Sequence, residues 1–279
     1  MTVDGYDITA FGCTLVGDSS RDSFGSLLKY PKRTEVEYND WAENNGIQPD
    51  LSETRFEERK IQLYFGMQAA TVASMNDRYG DFYGLLSAPG YRTVNAVPGL
   101  THTLRYVGMS GFEMSKPLLS SENHRLLTVD FSEDAWGQTA VPAYSAAAPS
   151  GLLGINGIDF GNFGIGSDDP LEDFFKYPSP KEPFDDGRQK HLDLVRTQHK
   201  NIRLNLWMLA TGQTQFANNY LAFFNELKKP GLQTLDVYPA GRQTGVYYSD
   251  CGSFRVERWG ENRVCARFSI ELVAPVFEI

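Results

Sequence analysis

The sequence predicts a mainly β, α+β protein made of two tandem duplicated small β-sandwich or barrel domains, each with one packed α-helix. Three observations predict it. Residues 61–111 recur at 202–252, shifted by 141 positions without a gap and with 14 identities, against roughly 3 from random pairing. The repeat opens on a strict two-residue alternation of apolar side chains, the mark of a strand with one buried face. Each copy then holds a single amphipathic helical pattern, too little helix to cover both faces of the strands around it. A repeat of this length is a whole small domain rather than one turn of a solenoid, and 279 residues accommodate two of them.

Taken in order, the first copy opens at Gly5-Tyr6-Asp7-Ile8 with Phe11-Gly12 behind it, and the second at Gly157-Ile158-Asp159-Phe160 with Phe163-Gly164. Both read as a short strand ending in a glycine turn. A long polar segment follows in each copy, to Glu58 and to Gln198, sharing the landmark Lys29-Tyr30-Pro31 and Lys176-Tyr177-Pro178. Residue by residue both segments read as irregular surface loop or exposed hairpin; because loops this long inside a compact domain are usually functional, the sharper reading is an arm that reaches a neighbouring subunit.

Ile61, Leu63, Phe65 and Met67 alternate with Gln62, Tyr64, Gly66 and Gln68, and Ile202, Leu204, Leu206 and Met208 repeat the parity. A helix follows, with Met75, Tyr79, Phe82 and Leu86 on one face, a capping box expected at Ser74 and Asp77, and Pro89-Gly90 as the stop. Its copy carries Phe216, Tyr220, Phe223 and Leu227 and stops at Pro230-Gly231. Further strands are expected at Tyr91–Val97, Thr103–Val107 and Leu126–Phe131, and at Leu232–Tyr238, Thr244–Tyr248 and Cys265–Ile270. Domain one thus spans 1–131 and domain two 151–279. Between them, Ser132–Ser150 is rich in Ala, Pro and Ser and reads as a semi-extended linker. Ile270–Ile279 stays apolar through Val273, Val276 and Phe277 and is expected to pack, on its own chain or on a partner.

A hydrophobic content of 41% excludes a disordered chain. The net charge of -9, without a Lys/Arg run, excludes tight nucleic-acid binding. Cys13, Cys251 and Cys265 form no CxxC pair and are too few for a secreted disulfide framework. The opening residues show no signal peptide and no long apolar run spans a membrane, so synthesis in a reducing cytoplasm is expected.

No chemistry-bearing motif emerges. His102, His124, His191 and His199 have no HExxH spacing, and each reads as a surface histidine. Gly161-Asn162-Phe163-Gly164-Ile165-Gly166 has the wrong spacing for a phosphate loop, and Gly108-Met109-Ser110-Gly111 is one residue short of a nucleophile elbow. Asp168-Asp169 and Asp185-Asp186-Gly187 lack the spaced ligands of a calcium loop. Catalytic, cofactor-binding and metal-binding residues are therefore predicted as none, no cofactor is implied, and the chain is expected not to be an enzyme. The residues shared by the copies are core and turn residues, so duplication has kept a shape.

Gly5-Tyr6-Asp7-Ile8, the strand Lys60–Gln68, the helix Ser74–Ala88 with Pro89-Gly90, Leu127–Phe131 and their copies together resemble the tail-tube fold of bacteriophages. The resemblance lies closest to distal tail proteins and to the paired barrels of baseplate hub proteins. It implies a structural component of a phage or prophage tail tip that forms a ring around the DNA channel. The partners it implies are further copies of the chain (a trimer with pseudo-six-fold symmetry, or a hexamer) and other tail proteins, with DNA only as passing cargo and no membrane. It places the protein in the host cytoplasm during assembly and then in the virion tail. Tyr30, Trp41 and Tyr177 are the subunit-contact candidates. The alternative is a tandem carbohydrate- or ligand-binding β-domain protein using Trp41, Trp136, Trp207 and Trp259 as stacking surfaces. A hydrolase with one degenerate copy is the third reading.

Overall fold

The computed structural model describes residues 1–17, 21–115, 123–136, 151–167, 172–182, 184–185, 190–191 and 196–277. The chain is mainly β with few helices. In the first half come β1 (Thr2–Val3), β2 (Tyr6–Asp7), β3 (Cys13–Leu15), α1 (Ser23–Leu28), β4 (Tyr38–Asn39), β5 (Gln48–Pro49), β6 (Arg59–Ala69), α2 (Val72–Ser87), β7 (Tyr91–Val97), β8 (Leu100–Ser115) and β9 (Asn123–Glu133). The second half brings β10 (Leu153–Ile155), β11 (Ile158–Asp159), β12 (Ile165–Ser167), α3 (Glu172–Phe175), β13 (Phe184–Asp185), β14 (Lys190–His191), β15 (Lys200–Ala210), α4 (Gln213–Leu227), β16 (Gln233–Val237), β17 (Arg242–Trp259) and β18 (Val264–Ala274).

Two seven-stranded antiparallel sheets result, ordered β2-β1-β7-β8-β9-β6-β3 and β11-β10-β16-β17-β18-β15-β12. Element for element the two orders are the same. The alternation seen in the sequence becomes the buried face of β6 and β15, on which Ile61, Leu63, Phe65 and Met67, and Ile202, Leu204, Leu206 and Met208, are all buried. The longest strands, β8 and β17, carry β-bulges at matching places, after Tyr106 and Met109 and after Tyr248 and Cys251. Bulges raise local twist and help a long sheet to curl.

Register refines the sequence alignment. Ile61 pairs with Phe131 and Ile202 with Leu272, so β9 and β18 correspond at a shift of 141, two residues away from the match of Leu126–Phe131 with Cys265–Ile270. Parity survives a two-residue slip, which is why the alternation alone could not detect it. Past the β7–β8 turn the shift becomes 142, because a 3-10 turn at Tyr238–Ala240 adds one residue to the second half. The helix α2 begins before Ser74: Thr71 is its N-cap, its hydroxyl accepting from the Ser74 N–H at 3.1 Å. The linker begins later than expected. Ser132 and Glu133 pair with Lys60 and Arg59 inside the sheet, and Trp136 packs against the second core; residues 137–150 lie outside the described residues.

The two helices differ in surroundings. Only Met75, Phe82 and Leu86 of α2 are buried, whereas α4 is buried on nearly every side from Phe216 to Leu227. One face of α4 packs on its own sheet. The other is covered by the first half, through Leu28, Tyr30, Val97 and Leu100, which belong to the second half's core. At the chain's end Phe277 is buried in that core as well.

Candidate functional site

Among the described residues, the most elaborate arrangement is the contact between the halves, centred on Tyr30. Asp22 caps α1, its carboxylate accepting from the Gly25 N–H at 2.7 Å. The helix directs successive residues to different cores: Leu27 joins the first half's core and Leu28 the second's. Behind it Tyr30 enters between two rings of α4, stacked on Tyr220 at 4.5 Å and on Phe224 at 4.6 Å. Its edge contacts are Phe254 and Phe268, each at 6.1 Å.

Three hydroxyls tie this stack to backbone. Tyr30 donates to the Tyr220 carbonyl (3.0 Å), Tyr220 to the Leu28 carbonyl (2.8 Å) and Tyr248 to the Pro31 carbonyl (2.8 Å). Burial pushes all three phenols well above the ordinary tyrosine range, so they remain neutral donors.

The arm is held from beneath by Arg59, at the start of β6. Its guanidinium donates to the carbonyls of Leu27 (3.2 Å) and Lys29, and forms a buried ion pair with Glu133. Trp136 lies 5.0 Å from that guanidinium and meets Phe224 edge-on at 5.1 Å. The second half repeats the device with Lys200, whose ammonium donates to the carbonyls of Phe174 (2.7 Å) and Lys176 and sits 3.9 Å from the Phe277 ring. The pairs Arg59 and Lys200, and Trp136 and Phe277, each stand 141 residues apart.

His102 corrects an expectation. It is fully buried, not a surface histidine, and its Nδ1 lies 3.1 Å from Glu133. Burial pushes its pKa below the usual value, while the Glu133 carboxylate opposes that shift. The neutral ring therefore donates to Glu133. Against the opposing effect of burial, that bond and the Arg59 charge hold Glu133 below the ordinary glutamate range. The sign follows from linkage: unfolded His102 takes up a proton near pH 6.5 that the folded ring resists, so stability is full above that pH and declines below it. The thermal midpoint is expected to fall between pH 7 and pH 5, with a visibly flatter slope for His102→Asn, which keeps a donor toward Glu133.

The remaining arm crosses the second half rather than reaching outward. Phe56 tilts against Phe224 at 5.4 Å, and Phe24 stacks on Trp259 at 4.8 Å. The Gly46 N–H donates to the Thr197 carbonyl at 2.7 Å, and the Ile47 N–H to the Pro275 carbonyl at 3.0 Å. Only glycine fits at 46: its φ is +65°, and a Cβ there would come within 1.6 Å of the Pro275 oxygen. Lys181 donates to the carbonyls of Trp41 (2.9 Å) and Gly46 (2.6 Å) and pairs with Asp40.

The three contact candidates thus have different fates. Tyr30 is 1% exposed and spent on a contact within its own chain, so its ring is not a surface contact. The sequence alone does not say which copy an arm crosses. Trp41 remains 49% exposed although its carbonyl is held, and Tyr177 is 77% exposed. Of the tryptophans weighed as sugar platforms, Trp136 and Trp259 are engaged between the halves.

Among the described residues no group of three His, Cys, Asp or Glu side chains is placed to hold a metal ion. Burial pushes the Cys13 and Cys251 thiols up to about 12, far from reactive thiolates. Ser110, in the near-elbow motif, lies within β8 and accepts from Gln62 at 3.3 Å. The glycine-rich stretch at 161–166 forms a 3-10 turn closed by left-handed Gly164, running into β12. The side chain of His191, and residues 168–169 and 186–187, lie outside the described residues. No described helix is long and apolar enough to cross a membrane.

No family model and no curated protein matches the chain. Among solved structures it is similar to the Dit (gp 19.1) protein of SPP1, described as a paradigm of the hub adsorption apparatus in phages that infect Gram-positive hosts. The match covers 98% of this chain and 96% of that one, at 10% identity and a TM-score of 0.31, a degree of overlap that carries no functional conclusion.

Proposed function

We propose that the chain is a structural, non-enzymatic component of a phage or prophage tail tip, a distal tail or baseplate hub protein that assembles into a ring around the DNA channel. One observation carries this reading. The halves have the same strand order, and one half's arm is packed across the helix of the other, so side-by-side assembly of like modules is already built into a single chain. A duplicated module that covers its twin's helix leaves the outer face of α2 exposed and, in the second half, exposed Phe175 and Tyr177 in place of the buried Leu28 and Tyr30, the composition of a head-to-tail assembly. The family resemblance in the sequence supplies the setting. A net charge of -9 suits a channel wall past which DNA slides without sticking.

In this reading the two domains are 1–131 and 151–279, adjusted at the first boundary for Ser132 and Glu133, and three chains supply six modules, or six chains a hexamer. Multi-angle light scattering and negative-stain images of the purified full chain test it. Closed rings of three or six chains are expected at micromolar concentration. A single-chain mass from micromolar to millimolar concentration, with no rings, would overturn it.

A further inference from the structure

The exposed face of α2 and the exposed residues Phe175 and Tyr177 match each other in detail. Phe175 and Tyr177 stand where Leu28 and Tyr30 stand in the first half, 147 residues earlier. Leu28 and Tyr30 are 0% and 1% exposed; Phe175 and Tyr177 are 48% and 77% exposed. The neighbouring position is buried in its own half in both cases, as Leu27 and as Phe174. The segment is also presented in the same way, since Lys200 holds the carbonyls of Phe174 and Lys176 as Arg59 holds those of Leu27 and Lys29.

The receiving side corresponds ring for ring, although the Arg125 guanidinium lies against it, 5.4 Å from the Tyr79 ring and 5.3 Å from the Phe112 ring, where the second half has Ala266. By strand register and helix alignment, the slot of Tyr220, Phe224, Tyr248 and Phe254 that accepts Tyr30 corresponds to Tyr79, Tyr83, Tyr106 and Phe112. Both tyrosines whose hydroxyls donate to the inserted arm, Tyr220 and Tyr248, have tyrosine counterparts in Tyr79 and Tyr106. Tyr83 and Phe112 are each 44% exposed, and a Cβ added at Gly80 or Gly84 on the outer face of α2 would meet nothing within 4 Å.

We infer that the slot of Tyr79, Tyr83, Tyr106 and Phe112 receives Phe175 and Tyr177 from a second copy of this chain, reproducing between chains the contact that Tyr30 makes within one. The inference rests on the ring reading and names its interface. Tyr79 and Tyr83 now stack on each other at 6.2 Å, which leaves no room for a third ring. Entry of Tyr177 therefore turns the half-exposed Tyr83 ring outward, a side-chain adjustment common at interfaces. The Tyr79 hydroxyl, now 3.7 Å from the Met109 sulfur, and the Tyr106 hydroxyl take the carbonyls of the incoming segment. Because the donor and acceptor surfaces differ, the contact is heterologous, and repeated with a rotation that closes it builds a ring.

The test places a photoreactive benzophenone amino acid at 177 in the full chain and, separately, makes Tyr177→Ala and Tyr83→Arg, all at exposed positions that leave folding intact. Irradiation is expected to give chain-to-chain links that map to the peptides of 72–87 or 100–115, and each substitution to reduce the assembled mass to that of one chain. An assembled wild type whose links map elsewhere, or whose mass survives both substitutions, overturns this interface and leaves the ring standing. A wild type that is monomeric and unlinked at every concentration overturns both.

Discussion

Tyr30→Ala is expected to destabilise the chain by about 4 kcal/mol, the cost of deleting a fully buried aromatic ring from a packed core. The ring is 1% exposed and flanked by Tyr220 and Phe224, so removal opens a cavity between rings on adjacent turns of α4 that cannot close without moving the helix. Tyr30→Phe keeps the stack and loses only the bond to the Tyr220 carbonyl, about 1 kcal/mol. Urea unfolding followed by tryptophan fluorescence reads both, with Trp136 as a reporter close to the stack. A Tyr30→Ala midpoint within error of Tyr30→Phe would mean that the ring contributes little and that the halves are held elsewhere.

Arg59→Met is expected to cost about 3–5 kcal/mol, for another reason. It leaves the Glu133 carboxylate buried with its cation gone and frees the carbonyls of Leu27 and Lys29 at the root of the arm. Arg59→Lys is expected to recover most of that loss, because the second half performs the same task with Lys200. There the opposing strand offers Ala274 where β9 has Glu133, so the partners common to the two halves are two carbonyls and one aromatic ring, Trp136 beside Arg59 and Phe277 beside Lys200. Differential scanning calorimetry near neutral pH gives the comparison. Equal losses for Met and Lys would show that the guanidinium's fork, and not a cation on the carbonyls, holds the arm.

Much of the architecture was legible because periodicity and repetition survive in the sequence. The alternation from Ile61 to Met67 named the buried face of β6, and Met75, Phe82 and Leu86 named the buried face of α2. Tyr79, between them, is only partly buried, since its side of the helix looks toward the open slot. What stayed hidden has physical causes. A slip of two residues preserves parity, so the match of Leu126–Phe131 could be misplaced without any sign. Arg59 and Lys200 lie two residues upstream of the ungapped match and differ in type, so identity counting passed over the cation that roots each arm. His102 looked like a lone polar residue because its partner, Glu133, is thirty-one positions away and becomes a neighbour only through strand pairing. Tyr30 and Tyr177 share one landmark, Lys-Tyr-Pro, yet a motif cannot tell whether the surface that receives it belongs to its own chain.

That ambiguity makes the two tyrosines the most direct probe of the whole account. Tyr30→Ala and Tyr177→Ala should be compared for dilute-chain unfolding midpoint and for assembled mass by light scattering. The account predicts that Tyr30→Ala lowers the midpoint sharply, whereas Tyr177→Ala leaves the dilute chain as stable as wild type but unable to assemble. An assembled mass that is indifferent to Tyr177, or a Tyr177→Ala chain that unfolds as readily as Tyr30→Ala, would contradict it.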